Sequence, residues 1–118
     1  MTPWAQVRHR SEADVSIVDV SGEIDIANVG DLREQILQCV PNTAAGLVLD
    51  LRSTRYMDSQ GMRLLVDLAD SLRRRRQRFA VVAPSSSFVY RIIELTQLNS
   101  IFPVTADVAG ALASIERR

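Results

Sequence analysis

The chain has 118 residues, 47% of them hydrophobic and 24% charged, which is the size and make-up of one globular domain over 1–118 and excludes a disordered or two-domain chain. Its single cysteine excludes an internal disulfide, and with no zinc-ligand spacing neither a staple, a metal nor a cofactor is expected. The net charge of zero does not favour a nucleic-acid partner, and no apolar run approaches the ~18 residues of a membrane span. The opening residues Met1 to Arg8 lack the apolar stretch of a secretion signal, so a soluble cytoplasmic protein is the expectation. The charge is unevenly spread, −5 over residues 1–70 and +5 over residues 71–118, an asymmetry suited to steering a charged partner.

In chain order, residues 4–10 read as a weak strand from Trp4, followed by the hairpin turn Ser11-Glu12-Ala13-Asp14. Val15 to Val20 is a second strand, in which Val18 breaks the alternation and points to burial on both faces. Asn28 is placed to cap a first helix, with Val29, Leu32, Ile36, Cys39 and Val40 on one face. Leu47 to Leu51 and Phe79 to Ala83 are apolar strands of a covered central sheet. Between them, after Gly61, a second helix turns Met62, Leu65, Val66, Ala69 and Leu72 inward and Arg63, Asp67, Asp70 and Arg74 outward. A third helix follows Pro84 to Ser87, with Val89, Ile92, Ile93 and Thr96 inward. Ser100 to Val104 is a short last strand, confined to an edge by Pro103. A fourth helix from Thr105 turns Val108, Ala111, Leu112 and Ile115 inward. Trp4, Phe79, Phe102 and Cys39 are expected in the core. The order β-β-α-β-α-β-α-β-α defines an α/β fold: a mixed sheet, antiparallel only in its N-terminal hairpin, with about four packing helices.

The most informative stretch runs from Asp50 to Met62, from the carboxyl end of a buried strand to the start of a helix, where α/β proteins place their ligands. Ser59 falls in the first helical turn, beside N–H groups without helical partners. A phosphate there is accommodated by those donors and by the helix dipole. Capping by Asp58 and Ser59 accounts for the same residues by helix-building alone.

This stretch, Asp-Leu-x5-Met-Asp-Ser-x-Gly-Met, resembles the signature of STAS domains of the anti-sigma factor antagonist type. Upstream, Ser21-Gly22-Glu23-Ile24-Asp25-Ile26-Ala27-Asn28 resembles the family's Gly-Glu-(Leu/Ile)-Asp segment, and Leu98 to Phe102 and the Ala-rich last helix also fit, so the likeness covers essentially the whole chain. The resemblance implies a single STAS domain acting as a non-enzymatic regulator. In that family the motif serine is phosphorylated by a cognate anti-sigma factor, an ATP-binding serine kinase. The unphosphorylated antagonist binds the anti-sigma factor and frees a sigma factor, and a serine phosphatase resets the switch. The resemblance thus implies that Ser59 is the phosphoacceptor, with Asp25, Asn28, Asp58, Gly61, Met62 and Arg63 forming the partner-binding surface. Gln60 and Arg63 stand where the family commonly has small residues.

Rival readings are weaker. Met57 stands where a Gly-x-Ser-x-Gly nucleophile motif needs glycine, and the only histidine, His9, lies between Arg8 and Arg10 in the weak first strand, so no catalytic residue is expected. There is no phosphate-binding Gly-x4-Gly-Lys-(Ser/Thr) loop, which leaves any nucleotide to the kinase partner. Arg73 to Arg78 is a basic cluster, but it ends a helix and lacks interleaved aromatics, so it reads as a solvated helix end and not as a nucleic-acid contact. Within the same fold the alternative is a STAS accessory or scaffold subunit of a stress-signalling or lipid-transport complex.

Overall fold

The computed structural model describes residues 5–116. β1 (Ala5–Glu12) and β2 (Val15–Ile24) form the antiparallel hairpin. Ala13 and Asp14 turn it with φ of 52° and 66°, the positive values that match a two-residue turn to strand twist. Trp4, where the predicted first strand begins, lies outside the described residues.

β2 is long enough to serve two parallel neighbours in succession. Val15 to Asp19 pair with β3 (Gly46–Asp50), and Gly22 to Ile24 pair with β4 (Thr54–Met57), with a register shift between Gly22 and Glu23. The shift sits at a glycine with φ of 105°, a conformation that costs other residues more. β5 (Arg78–Val82) lies parallel on the far side of β3, and β6 (Val104–Thr105) beyond it. The sheet order is β1-β2-β3-β5-β6, with β4 beside the end of β2. The antiparallel opening and parallel remainder follow the predicted topology.

Four strands differ from the sequence reading: β1 runs on through Ser11 and Glu12, expected in the turn, β2 continues past Val20 to Ile24, and β4 and β6 depart further. β4 was expected as loop: four residues, with only Thr54 and Met57 buried, carry no run or alternation to mark a strand. It forms because β2 supplies the pairing, reinforced where the buried Thr54 hydroxyl donates to the Val20 carbonyl at 2.7 Å. The last strand is shorter than Ser100 to Val104, since Leu98–Ser100 makes a 3-10 turn and only Val104 and Thr105 pair. Gln97, at φ 60°, ends the preceding helix and starts that turn.

The helices divide unequally between the two faces. α1 (Val29–Gln38), α2 (Ser59–Arg74) and α3 (Phe88–Leu95) cover one face, where Val18, Val20, Leu47, Leu49 and Val81 meet Leu32, Ile36, Leu65, Leu68 and Ile93. α4 (Val108–Glu116) alone covers the other, packing Ala111 and Ile115 on Val15, Ile17, Val48, Ala80 and Val82. Phe79 and Phe102 meet edge to face at 5.2 Å, and Cys39 packs partly buried against the larger cluster.

α2 is rotated from its predicted face. Gly61, Leu64, Leu65, Leu68 and Leu72 are buried, whereas Val66, expected inward, is 36% exposed and Met62 and Ala69 are half-buried. Thr96, also expected inward, is exposed, and its hydroxyl donates back to the Ile92 carbonyl. At the end of α2, Arg73 and Arg74 reach back to Asp70 as expected of a solvated helix end. Arg75 instead donates to the Val40 carbonyl at 2.7 Å and so ties α2 to the end of α1.

Candidate functional site

The site is built where β2 and β4 end side by side. Ile24 pairs with Met57, and the Asp58 N–H donates to the Ile24 carbonyl at 3.2 Å, so Asp25 and Asp58 leave the sheet together. Asp58 then starts α2 from an extended conformation (φ −98°, ψ −168°), and its Oδ1 accepts from the N–H groups of Gln60 at 2.9 Å and Gly61 at 3.2 Å. The capping role foreseen for the Asp58–Ser59 pair therefore falls to Asp58. Ser59 is the first residue of α2, exposed, and its hydroxyl makes no hydrogen bond among the described residues.

That arrangement corrects one expectation. Of the first-turn N–H groups only that of Ser59 itself stands open for a phosphate, because the Asp58 carboxylate occupies those of Gln60 and Gly61 and the Met62 N–H reaches the Asp58 carbonyl.

The other residues expected around Ser59 take distinct places. Asn28 precedes α1 without capping it through its side chain. Its Oδ1 accepts from the Asp25 N–H at 3.0 Å and its Nδ2 donates to the Glu23 carbonyl at 2.8 Å, so it closes the turn that leads into the helix. Asp25 Oδ1 accepts from the Ala27 N–H within the same turn. That turn holds Ile26 outward, 74% exposed. Gly61 lies beneath the surface instead of on it: a Cβ there would come within 2.7 Å of the Met57 Cβ and 3.2 Å of the Ile24 Cγ2. The glycine lets α2 start tightly against the ends of both strands.

Met62 and Arg63 do share a surface with Ser59. A groove of ≈ 480 Å³ runs between the start of α2 and the end of α3, lined by Ser59, Gln60, Met62, Arg63, Val66, Asp67, Thr96 and Leu98. Thr96 and Leu98, its far wall, are brought to α2 only by the fold, and on the near wall Val66 belongs to the groove instead of the core face expected for it.

A second cleft of ≈ 320 Å³ opens on the other sheet face, on the stretch of β1 and β2 that α4 leaves bare. Arg8, Asp19 and Asp50 lie in one row across β1, β2 and β3. Asp50 is gripped by the Arg52 guanidinium through Nε at 3.0 Å and Nη2 at 2.8 Å, which holds Arg52 more firmly protonated than usual. Asp19 is pushed the other way: burial and the neighbouring Asp50 raise its carboxyl above the usual aspartate range, against the opposing pull of Arg8 and Arg52. Among the described residues no cluster of three metal-ligating side chains occurs, and no helix is long and apolar enough to cross a membrane.

The fold and the loop that starts α2 together define the class of protein. The STAS domain family matches residues 6–111, and the chain belongs to that family. The anti-sigma-F factor antagonist RsfB of Mycobacterium tuberculosis is 28% identical over 101 residues, covering 86% of this chain and 81% of its own. The crystal structure of an anti-sigma factor antagonist from Mycobacterium paratuberculosis superposes with a TM-score of 0.85 at 29% identity, over 96% of this chain and 95% of that one. The Bacillus antagonist SpoIIAA shares the fold at 16% identity, in a phosphorylated and an unphosphorylated structure. Its phosphorylated form gives a TM-score of 0.67 over 93% of this chain and 99% of that one; its unphosphorylated form gives 0.65 over 98% and 100%.

Proposed function

We propose that this chain is a cytoplasmic, non-enzymatic anti-sigma factor antagonist that docks on its anti-sigma factor, a serine kinase, and is switched off by phosphorylation of Ser59. The observation that carries the reading is the state of the Ser59 hydroxyl: exposed, unbonded, at the first position of α2, and next to a residue that already does the capping. A serine needed to build the helix would be engaged; this one is spare. The two mycobacterial relatives named as antagonists support the partner class, and a fold relative known in phosphorylated and unphosphorylated forms supports the switch.

The docking surface in this reading is the exposed rim around Ser59: Asp25 and Asn28 in the turn after β2, then Asp58, Met62 and Arg63 at the start of α2. Gly61 serves it from below by letting the helix sit close. An unmodified hydroxyl leaves that surface open to a partner. A phosphate adds roughly −1.5 to −2 charge beside Asp58 and a group too large for an interface packed around a hydroxyl. A serine phosphatase would restore the first state. The test is to incubate the chain with candidate anti-sigma kinases and ATP and to map the modification by mass spectrometry. One phosphate on Ser59, and none on Ser59→Ala, is expected. Phosphate on another residue, or no transfer from any kinase that binds the chain, would move the protein to an accessory or scaffold role.

A further inference from the structure

We propose that Arg63 is the counter-ion built into the chain for a phosphate on Ser59, a role that rests on Ser59 being the phosphoacceptor. The two residues are four apart on α2, both exposed, and they line the same groove. That spacing stacks their side chains on one helix face, with Cβ atoms about 5–6 Å apart.

Three features of the surroundings give the phosphate this one cationic neighbour. Of the N–H groups that ordinarily receive an anion at a helix start, all but that of Ser59 itself are taken, those of Gln60 and Gly61 by the Asp58 carboxylate and that of Met62 by the Asp58 carbonyl. The other charges close by are Asp58, adjacent in sequence, Asp67, in the same groove, and Asp25, beside Asp58 at the strand ends. All three repel a phosphate, and the facing wall contributes only Thr96 and Leu98. Arg63 itself makes no hydrogen bond or ion pair among the described residues, whereas Arg73 and Arg74 further along α2 are both held by Asp70. A guanidinium fork matches two phosphate oxygens, and a phosphate of nearly two charges outcompetes the single charge of Asp67, which stands four residues on from Arg63 at the same spacing. Phosphorylation then does two things at once: it adds charge at Ser59 and withdraws Arg63 from the docking surface.

Phosphoserine is installed at position 59 during translation, without a kinase, in the parent, Arg63→Gln, Arg63→Lys and Arg74→Gln chains. The second ionisation of the phosphate is then followed by phosphorus NMR. Arg63→Gln should raise the phosphate pKa by about 0.15–0.4 units relative to the parent, the size of an i,i+4 ion pair on a helix surface. Arg63→Lys, which keeps the charge, should stay close to the parent. Arg74→Gln, with the same charge change three to four turns away, should not move it. Coincident parent and Arg63→Gln curves would overturn the pairing, as would an equal shift from Arg74→Gln, which would mark a net-charge effect. Because the phosphate is installed directly, a shift seen here alongside failure of every kinase to label Ser59 would keep the ion pair and remove the acceptor reading.

Discussion

Asp58 and Ser59 are adjacent residues of similar capping preference, and the structure gives them different tasks. Asp58 carries the cap, with two N–H groups on one carboxylate oxygen, and Ser59 is left with nothing to hold. At the same scale Asp19 shows a charge that works against the fold. Burial and then Asp50 make its ionisation costly in the folded chain, so the folded chain holds the proton more tightly than the unfolded one. Its stabilising contribution is full below the ordinary aspartate value of about 3.9 and is lost as pH rises through the higher folded value. Asp19→Asn should therefore melt at or above the parent temperature at pH 7, and that advantage should vanish toward pH 4. Thermal melts at the two pH values check this. A variant destabilised at pH 7 and unaffected at pH 4 would mean that the pull of Arg8 and Arg52 outweighs burial and Asp50.

At the scale of the element, α2 sets both the core and the site. Its buried stripe is Gly61, Leu64, Leu65, Leu68 and Leu72, and its outer side carries Ser59, Arg63 and the half-exposed Val66. Leu65→Ala should cost about 2–5 kcal/mol through lost burial and the cavity left behind. Val66→Ala, one residue on, should stay within about 0.5 kcal/mol. Equal losses in urea unfolding would return α2 to the register predicted from sequence. That register was legible only in part, because Leu64-Leu65-Val66 is apolar on three successive positions and period alone does not say which two face in. β3 and β5 were readable because strands covered on both faces are continuous apolar runs, and β2 because its alternation is broken only at Val18. β4 was not, because its stability lies in Gly22, Thr54 and the pairing with β2, all contacts distant in sequence. The site divided in the same way: Ser59 and its neighbours stood out as a motif, whereas Thr96 and Leu98 join the groove only through tertiary packing.

At the scale of the molecule, two strand ends and one helix start converge on a single rim, and the rest of the fold holds them there. Three helices on one face fix α2 from behind, and the tie from Arg75 to the Val40 carbonyl anchors its far end. The sequence-level split between an acidic first part and a basic second part is softened in three dimensions where Asp70 pairs with Arg73 and Arg74, and the surface around Ser59 keeps Asp25, Asp58 and Asp67 against Arg63. A phosphate on Ser59 tips that balance strongly negative without any need to refold the chain, since the cap on α2 does not use the serine. The central claim is that this local change alone controls partner binding. Its most direct test is the affinity of one anti-sigma kinase, captured by tagged Ser59→Ala chain from host cells, for the unmodified, Ser59-phosphorylated and Ser59→Ala forms, by calorimetry without ATP. The unmodified and Ser59→Ala forms should bind alike and the phosphorylated form at least ~10-fold more weakly, a difference of about 1.4 kcal/mol, with unchanged melting curves. Equal affinity for all three forms would contradict the claim.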